Sequence, residues 1–141
     1  MLVIMGARYR TQAINNDGGD GTAHVPGGLD VVVSSPLGAN VDAGTNPEQL
    51  LALAWSTCLN ATAQVIVAGD RRTSVRVEVE LHRSEPGPGY EFHVDAYLSA
   101  EGATHAQAEE ILAAAHARCP VSKLISASAT VHTHVEAYTG Q

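Results

Sequence analysis

Two residues in this chain of 141 carry a nucleophilic sulfur, Cys58 and Cys119. Each lies on an apolar helical stripe. Cys58 has Ala54 and Trp55 at i−4 and i−3, and Ala61 and Thr62 at i+3 and i+4. A cysteine so placed, taken alone, reads as core packing, because free cysteine is among the most buried residue types. The pair widens the chemistry. A thiolate can attack the O–O bond of a peroxide and become a sulfenic acid, and a second thiol can then condense with it as a disulfide before further oxidation. That reaction requires sulfurs that meet in space and a Cys58 ionised by nearby positive charge or hydrogen-bond donors. Two thiols in a cytosolic chain of this size point to catalytic or redox-sensing use rather than to a structural staple.

The other reactive side chains make weaker patterns. His82, His93, His132 and His134 fall on the polar phases of their strands, as expected for solvated sheet-face residues. His132 and His134 share a face at i, i+2, a spacing that can chelate a metal, but no zinc-type cysteine pattern accompanies it. His24, His105 and His116 belong to no motif. There is no Ser-His-Asp arrangement and no phosphate-binding glycine loop, so neither metal nor cofactor is expected.

The elements that must position the sulfurs come from one domain's length of chain, and residues 1–141 are read as a single domain. Hydrophobic residues at 45% provide a core, while aromatics at 4% leave Val, Leu, Ile and Ala to build it. The formal charge of −7, with Arg71-Arg72 as the one basic doublet, argues against nucleic-acid or anionic-membrane partners. The apolar run at residues 1–5 is too short for a signal-peptide core and has no basic residue before it, so a cytoplasmic protein is expected. The stretch from Leu50 to Ala68 approaches membrane-spanning length but carries Ser56, Thr57, Asn60, Thr62 and Gln64. A buried central helix explains it better than a bilayer span.

Asn46 and Pro47 suit a helix start, and Gly69 a stop. Short strands are expected near 7–14, 22–25 and 29–34, separated by the turns Asn15–Gly21 and Pro26–Gly28. Residues 74–83 alternate Val75, Val77, Val79 and Leu81 against Arg76, Glu78, Glu80 and His82, which predicts a half-buried antiparallel strand. Tyr90 to Leu98 alternates likewise. Thr104 and Gln107 match a capping box before a second helix, whose stripe of Ala108, Ile111, Leu112 and Ala115 continues to Cys119. Pro120 limits that helix but can open another. A last strand is expected over 128–137. The order predicts an α+β fold with antiparallel sheets.

Three segments together resemble a known family. Thr45-Asn-Pro-Glu-Gln-Leu50 followed by Ser56-Thr-Cys58, then Ala115-His-Ala-Arg-Cys-Pro-Val-Ser-Lys123, with Leu29-Asp-Val ahead of a Gly-containing loop, are similar to the osmotically inducible protein C/organic hydroperoxide resistance (OsmC/Ohr) family. The resemblance covers nearly the whole chain. It implies an intertwined homodimer, with sheets wrapped around long central helices. It implies a peroxidatic Cys58, a resolving Cys119 and a site role for Glu48. It also implies an antioxidant stress response: reduction of bulky organic or fatty-acid hydroperoxides, with re-reduction by a dihydrolipoyl protein or small dithiol and no metal or flavin.

Glu48 lies ten residues before Cys58, about 15 Å along a straight helix. It can therefore meet a Cys58 only across a dimer interface, unless the helix breaks; otherwise it serves as a favourable charge at a helix N-terminus. The family's arginine beside the reactive thiol has no counterpart in either usual place. Gly19 occupies one, and the loop 34–44 holds no arginine. Arg8 and Arg10 are the nearest by sequence, and both read as exposed strand residues. The absence supports an alternative function on the same fold: a weakly active or non-enzymatic protein that binds an apolar ligand or senses redox state.

Overall fold

The computed structural model describes residues 6–140; the apolar run at 1–5 lies outside the described residues. The chain divides into two compact units, one ending at Asn46 and one beginning at Pro47.

The first unit is a three-stranded antiparallel sheet of β1 (Ile14–Asn15), β2 (Gly21–His24) and β3 (Asp30–Val33), in that order. The β1–β2 turn is held by its own side chains. Asn15 Oδ1 accepts from the backbone N–H of Asp17 and Gly18, and Asp17 Oδ2 accepts from that of Thr22. Gly21 has φ +145°, and a Cβ there would fall 2.5 Å from the Asp17 carboxylate, so the turn requires glycine. The strand expected over 7–14 is reduced to two residues. Among the described residues of this unit, Ile14 and Asn15 pair with β2, and residues 6–13 are exposed without regular structure.

The second unit holds both cysteines. Its long helix α1 (Pro47–Val67) is followed by β4 (Thr73–Arg83), β5 (Tyr90–Ala100), α2 (His105–Arg118), α3 (Pro120–Ile125) and β6 (Val131–Val135). Helix α1 stops where Ala68 and Gly69 both take positive φ, a left-handed exit that glycine makes cheap. It has the length and hydropathy to cross a membrane. Here it packs against β4, β5, α2 and α3. Trp55, Leu59 and Ala63, one turn apart, form its buried face, while Leu53 and Val65 on the outer face remain 62% and 70% exposed.

The sheet order is β4-β5-β6. The β4–β5 pair is antiparallel, as its alternation predicts, with Val75 opposite Leu98, Val77 opposite Ala96 and Val79 opposite Val94 on the inner face. The β5–β6 pair is parallel, against the expectation of wholly antiparallel sheets. The cause is the crossover through α2 and α3, which returns the chain to the starting end of β5. The outer face is polar and internally paired. Arg76 bridges Glu78 (2.7 Å) and Glu136 (2.8 Å) and lies 4.2 Å from the Tyr97 ring centroid. Tyr97 stacks on His134, which meets Asp95 at 2.7 Å. His82 and His93 rings lie 4.1 Å apart, with His82 on Glu80. Among the described residues no three His, Cys, Asp or Glu side chains are grouped to hold a metal ion.

Candidate thiol site

The two sulfurs come from helices that meet at the core. Cys58 sits in the interior of α1, half-buried, and its carbonyl accepts a hydrogen bond from Thr62 Oγ1 at 2.9 Å. Cys119 lies where α2 gives way to α3. Its N–H still bonds the Ala115 carbonyl and its φ is helical (−62°), but its ψ is extended (122°), so α2 ends at Arg118 while Cys119 stays buried with Leu112 and Ala115 on the stripe its spacing predicted. The physical reason is Pro120: its ring disfavours the α conformation in the preceding residue, and its missing N–H suits the first position of a new helix. Cys119 then caps α3, with Sγ accepting from the Ser122 backbone N–H at 3.4 Å. It is fully buried beside Trp55, Leu59, Leu112 and Ala115.

The two thiols are both free and pack in the same core cluster, close enough for one to perturb the other. Burial pushes the Cys58 thiol above its ordinary pKa, and the neighbouring Cys119 adds to that by favouring the protonated form. A hydrogen bond from the Val121 backbone opposes them by stabilising the thiolate, but the net direction is upward. No basic side chain within residues 47–140 contributes. The chain's second unit therefore brings the sulfurs together without activating the first of them.

Of the predicted site residues, Cys58 and Cys119 are adjacent, and Glu48 is apart from them within one chain. Helix α1 runs unbroken from Pro47 through Cys58, which separates Glu48 from Cys58 by about 15 Å of rise. One Glu48 carboxylate oxygen is buried with no hydrogen-bond partner among the described residues. Gly19 lies in the β1–β2 turn, and Arg8 and Arg10 are exposed ahead of β1.

Sequence reasoning did not assign roles to Trp55 or Ser122. Both are fully buried, and Trp55 Nε1–H donates to Ser122 Oγ at 2.9 Å. The available signals were their positions three residues before Cys58 and three after Cys119. His116 lies with its ring centroid 6.5 Å from that of Trp55.

A cavity of about 420 Å³ lies beside the core, with Leu51, Phe92, Val94 and Ile125 on its apolar side and Glu91, Ser128 and Thr130 on its polar side; like the next, it is lined by neither sulfur. Leu51 precedes Cys58 by seven residues, so both occupy nearly the same side of α1. A larger cavity of about 520 Å³, lined by Arg71, Arg72, Asp70 and Glu101 at the other end of α1, includes neither sulfur.

Comparison with known proteins places this geometry in a lineage. The family model described as OsmC-like protein matches residues 39–134, well over half of the chain. The organic hydroperoxide resistance protein-like protein of Mycoplasma pneumoniae is 33% identical over 129 residues, covering 86% of this chain and 89% of its own. Organic hydroperoxide resistance protein OhrA of Bacillus subtilis is 31% identical over 111 residues, covering 76% and 79%. A Lactobacillus casei protein of known crystal structure superposes with a TM-score of 0.85 at 34% identity over 96% of each chain. With the cysteine motifs, the order of elements and these alignments in agreement, the chain belongs to the OsmC-like protein family.

Proposed function

We propose that this chain is a thiol peroxidase that reduces organic hydroperoxides to alcohols. In the first step the Cys58 thiolate attacks the O–O bond of ROOH. An S–O bond forms, the O–O bond breaks, and the alkoxide takes a proton and leaves as ROH. In the second, the Cys119 sulfur attacks Cys58; the S–S bond forms, the S–O bond breaks, and hydroxide leaves with the Cys119 proton as water. An external dithiol, small or carried on a dihydrolipoyl protein, reopens the disulfide by exchange. No cofactor enters this cycle. The single observation that carries the reading is the packing of two free thiols against one another in the core where α1 meets α3. The names of the relatives supply the substrate class.

The active form in this reading is a homodimer in the cytoplasm. The exposed Leu53 and Val65 on α1 are an apolar face that a second copy would cover. Glu48, too far from its own Cys58, would then serve the partner's thiol and answer for its unpaired oxygen. Rapid mixing with cumene hydroperoxide tests the proposal: oxidation of Cys58 well above the rate of a free thiol is expected, and a rate no better than a free thiol would remove it.

A second reading is favoured by one observation, the raised pKa of Cys58 with no basic side chain of its own unit beside it. On that reading the protein binds an apolar ligand or reports redox state, and its thiols oxidise slowly. The same rapid-mixing rate distinguishes the two.

A further inference from the structure

Two thiols brought together by a chain fold need something that keeps them in line, and the core supplies a second link between their helices. Trp55 stands three residues before Cys58, and Ser122 stands three residues after Cys119. Trp55 Nε1–H donates to Ser122 Oγ at 2.9 Å, and the Ser122 backbone N–H donates to Cys119 Sγ at 3.4 Å. These contacts tie one turn of α1 to the first turn of α3 beside the packed pair of sulfurs. Trp55, Ser122 and Cys119 are each 0% exposed. Water therefore cannot replace either bond, and breaking one leaves a buried polar group unpaired.

We propose that Trp55 and Ser122 are positioning residues for the resolving step: their hydrogen bond holds the first turn of α3 against α1, so that the Cys119 sulfur stays aligned on Cys58 once Cys58 has become a sulfenic acid. The inference rests on the peroxidase reading and deepens it. Cys119 is in extended backbone between two helices, tied by its N–H to the Ala115 carbonyl and by its carbonyl to the Lys123 N–H. Those bonds fix the backbone locally, and apolar packing is what else holds the junction against α1. The Trp55–Ser122 bond runs from α1 itself and adds a directional link that packing alone does not supply. Alignment matters because closure competes with a second hydroperoxide, which would carry the sulfenic acid on to sulfinic acid.

The test uses full-length protein, quench-flow mixing with excess cumene hydroperoxide, thiol alkylation and intact-mass detection of sulfenic acid, disulfide and sulfinic acid. In Trp55→Phe and in Ser122→Ala, the ratio of the closure rate to the first-step rate should fall about tenfold, with sulfinic acid rising in proportion. The double variant separates alignment from stability. Ser122→Ala alone strands the Trp55 N–H, whereas Trp55→Phe with Ser122→Ala removes both partners and recovers part of the lost stability. Closure that stays slow in the double variant supports positioning. Closure that recovers along with melting temperature, or that matches wild type in every variant, overturns it. If hydroperoxide forms no sulfenic acid in wild-type protein, the peroxidase reading fails instead. Diamide, an oxidant that links two thiols directly, then gives the same comparison of closure rates among the variants.

Discussion

Cys58 and Cys119 meet in one core cluster and differ in almost everything else. Cys58 is held in mid-helix, where its backbone is fixed by the helix on both sides and its thiol is half-buried. Cys119 is at a break between helices, wholly buried, with a backbone donor aimed at its sulfur. In the proposed peroxidase the contrast fits the order of the two steps: the half-buried sulfur would be the one attacked from solution, and burial would protect the one that must remain reduced until the second step.

The sharpest way to break this contrast is to remove one sulfur at a time. Cys58→Ser should lower hydroperoxide turnover by more than about a hundredfold in a coupled dithiol assay, because the attacking atom is gone. Cys119→Ser should also stop steady-state turnover, yet still consume one equivalent of hydroperoxide per Cys58 and then yield sulfinic acid by mass spectrometry. If the two variants behave alike, the assigned order is wrong.

The pH profile is the next largest effect. The thiolate is the nucleophile, and burial together with the neighbouring Cys119 raises the pKa of Cys58. The first-step rate followed by stopped flow should therefore climb about tenfold per pH unit below that pKa and level off above the ordinary thiol value of about 8.5. An inflection well below that value would mean that a cation from outside residues 47–140 reaches the sulfur. Glu48→Gln should reduce the first-step rate by roughly tenfold if the carboxylate orders the partner's site, and it should leave the closure rate of an already formed sulfenic acid close to wild type. Arg76→Ala, on the outer sheet face, sets the lower limit. Arg76 and Glu136 pair at the surface, with the guanidinium lowering the Glu136 pKa. The change should cost no more than about 1 kcal/mol by urea denaturation and should leave thiol oxidation alone.

Much of the frame was legible. Alternation in 74–83 and 90–98 predicted β4 and β5, because their inner faces bury aliphatics against α1 while the outer faces stay in water. The Thr104–Gln107 capping box is present with both of its hydrogen bonds. Proline and glycine marked the limits of α1. What pattern could not supply was pairing at a distance. The parallel β5–β6 ladder depends on where the α2–α3 crossover lands, and the first strand depends on partners that residues 7–13 do not have among the described residues of their unit. At the site, the cysteines could be named from their motifs, but Trp55 and Ser122 could not, since a buried hydrogen bond between residues 67 positions apart leaves no periodic trace.

The α2–α3 crossover begins and ends in the same sheet. Tyr90–Ala100 is registered on β4, and Thr130 returns to the sheet through its bonds to Phe92 and Val94. The span from 101 to 130 is thereby a screw clamped at both ends. One residue added within α2 would turn everything after it by about 100° and advance it by about 1.5 Å, carrying the Cys119 sulfur out of phase while the strands stayed in place. The chain length between the second sheet pair and Cys119 is thus as much a part of the chemistry as the sulfur it delivers, and insertions in this lineage would be tolerated at Glu85–Gly89 long before they were tolerated in the helix.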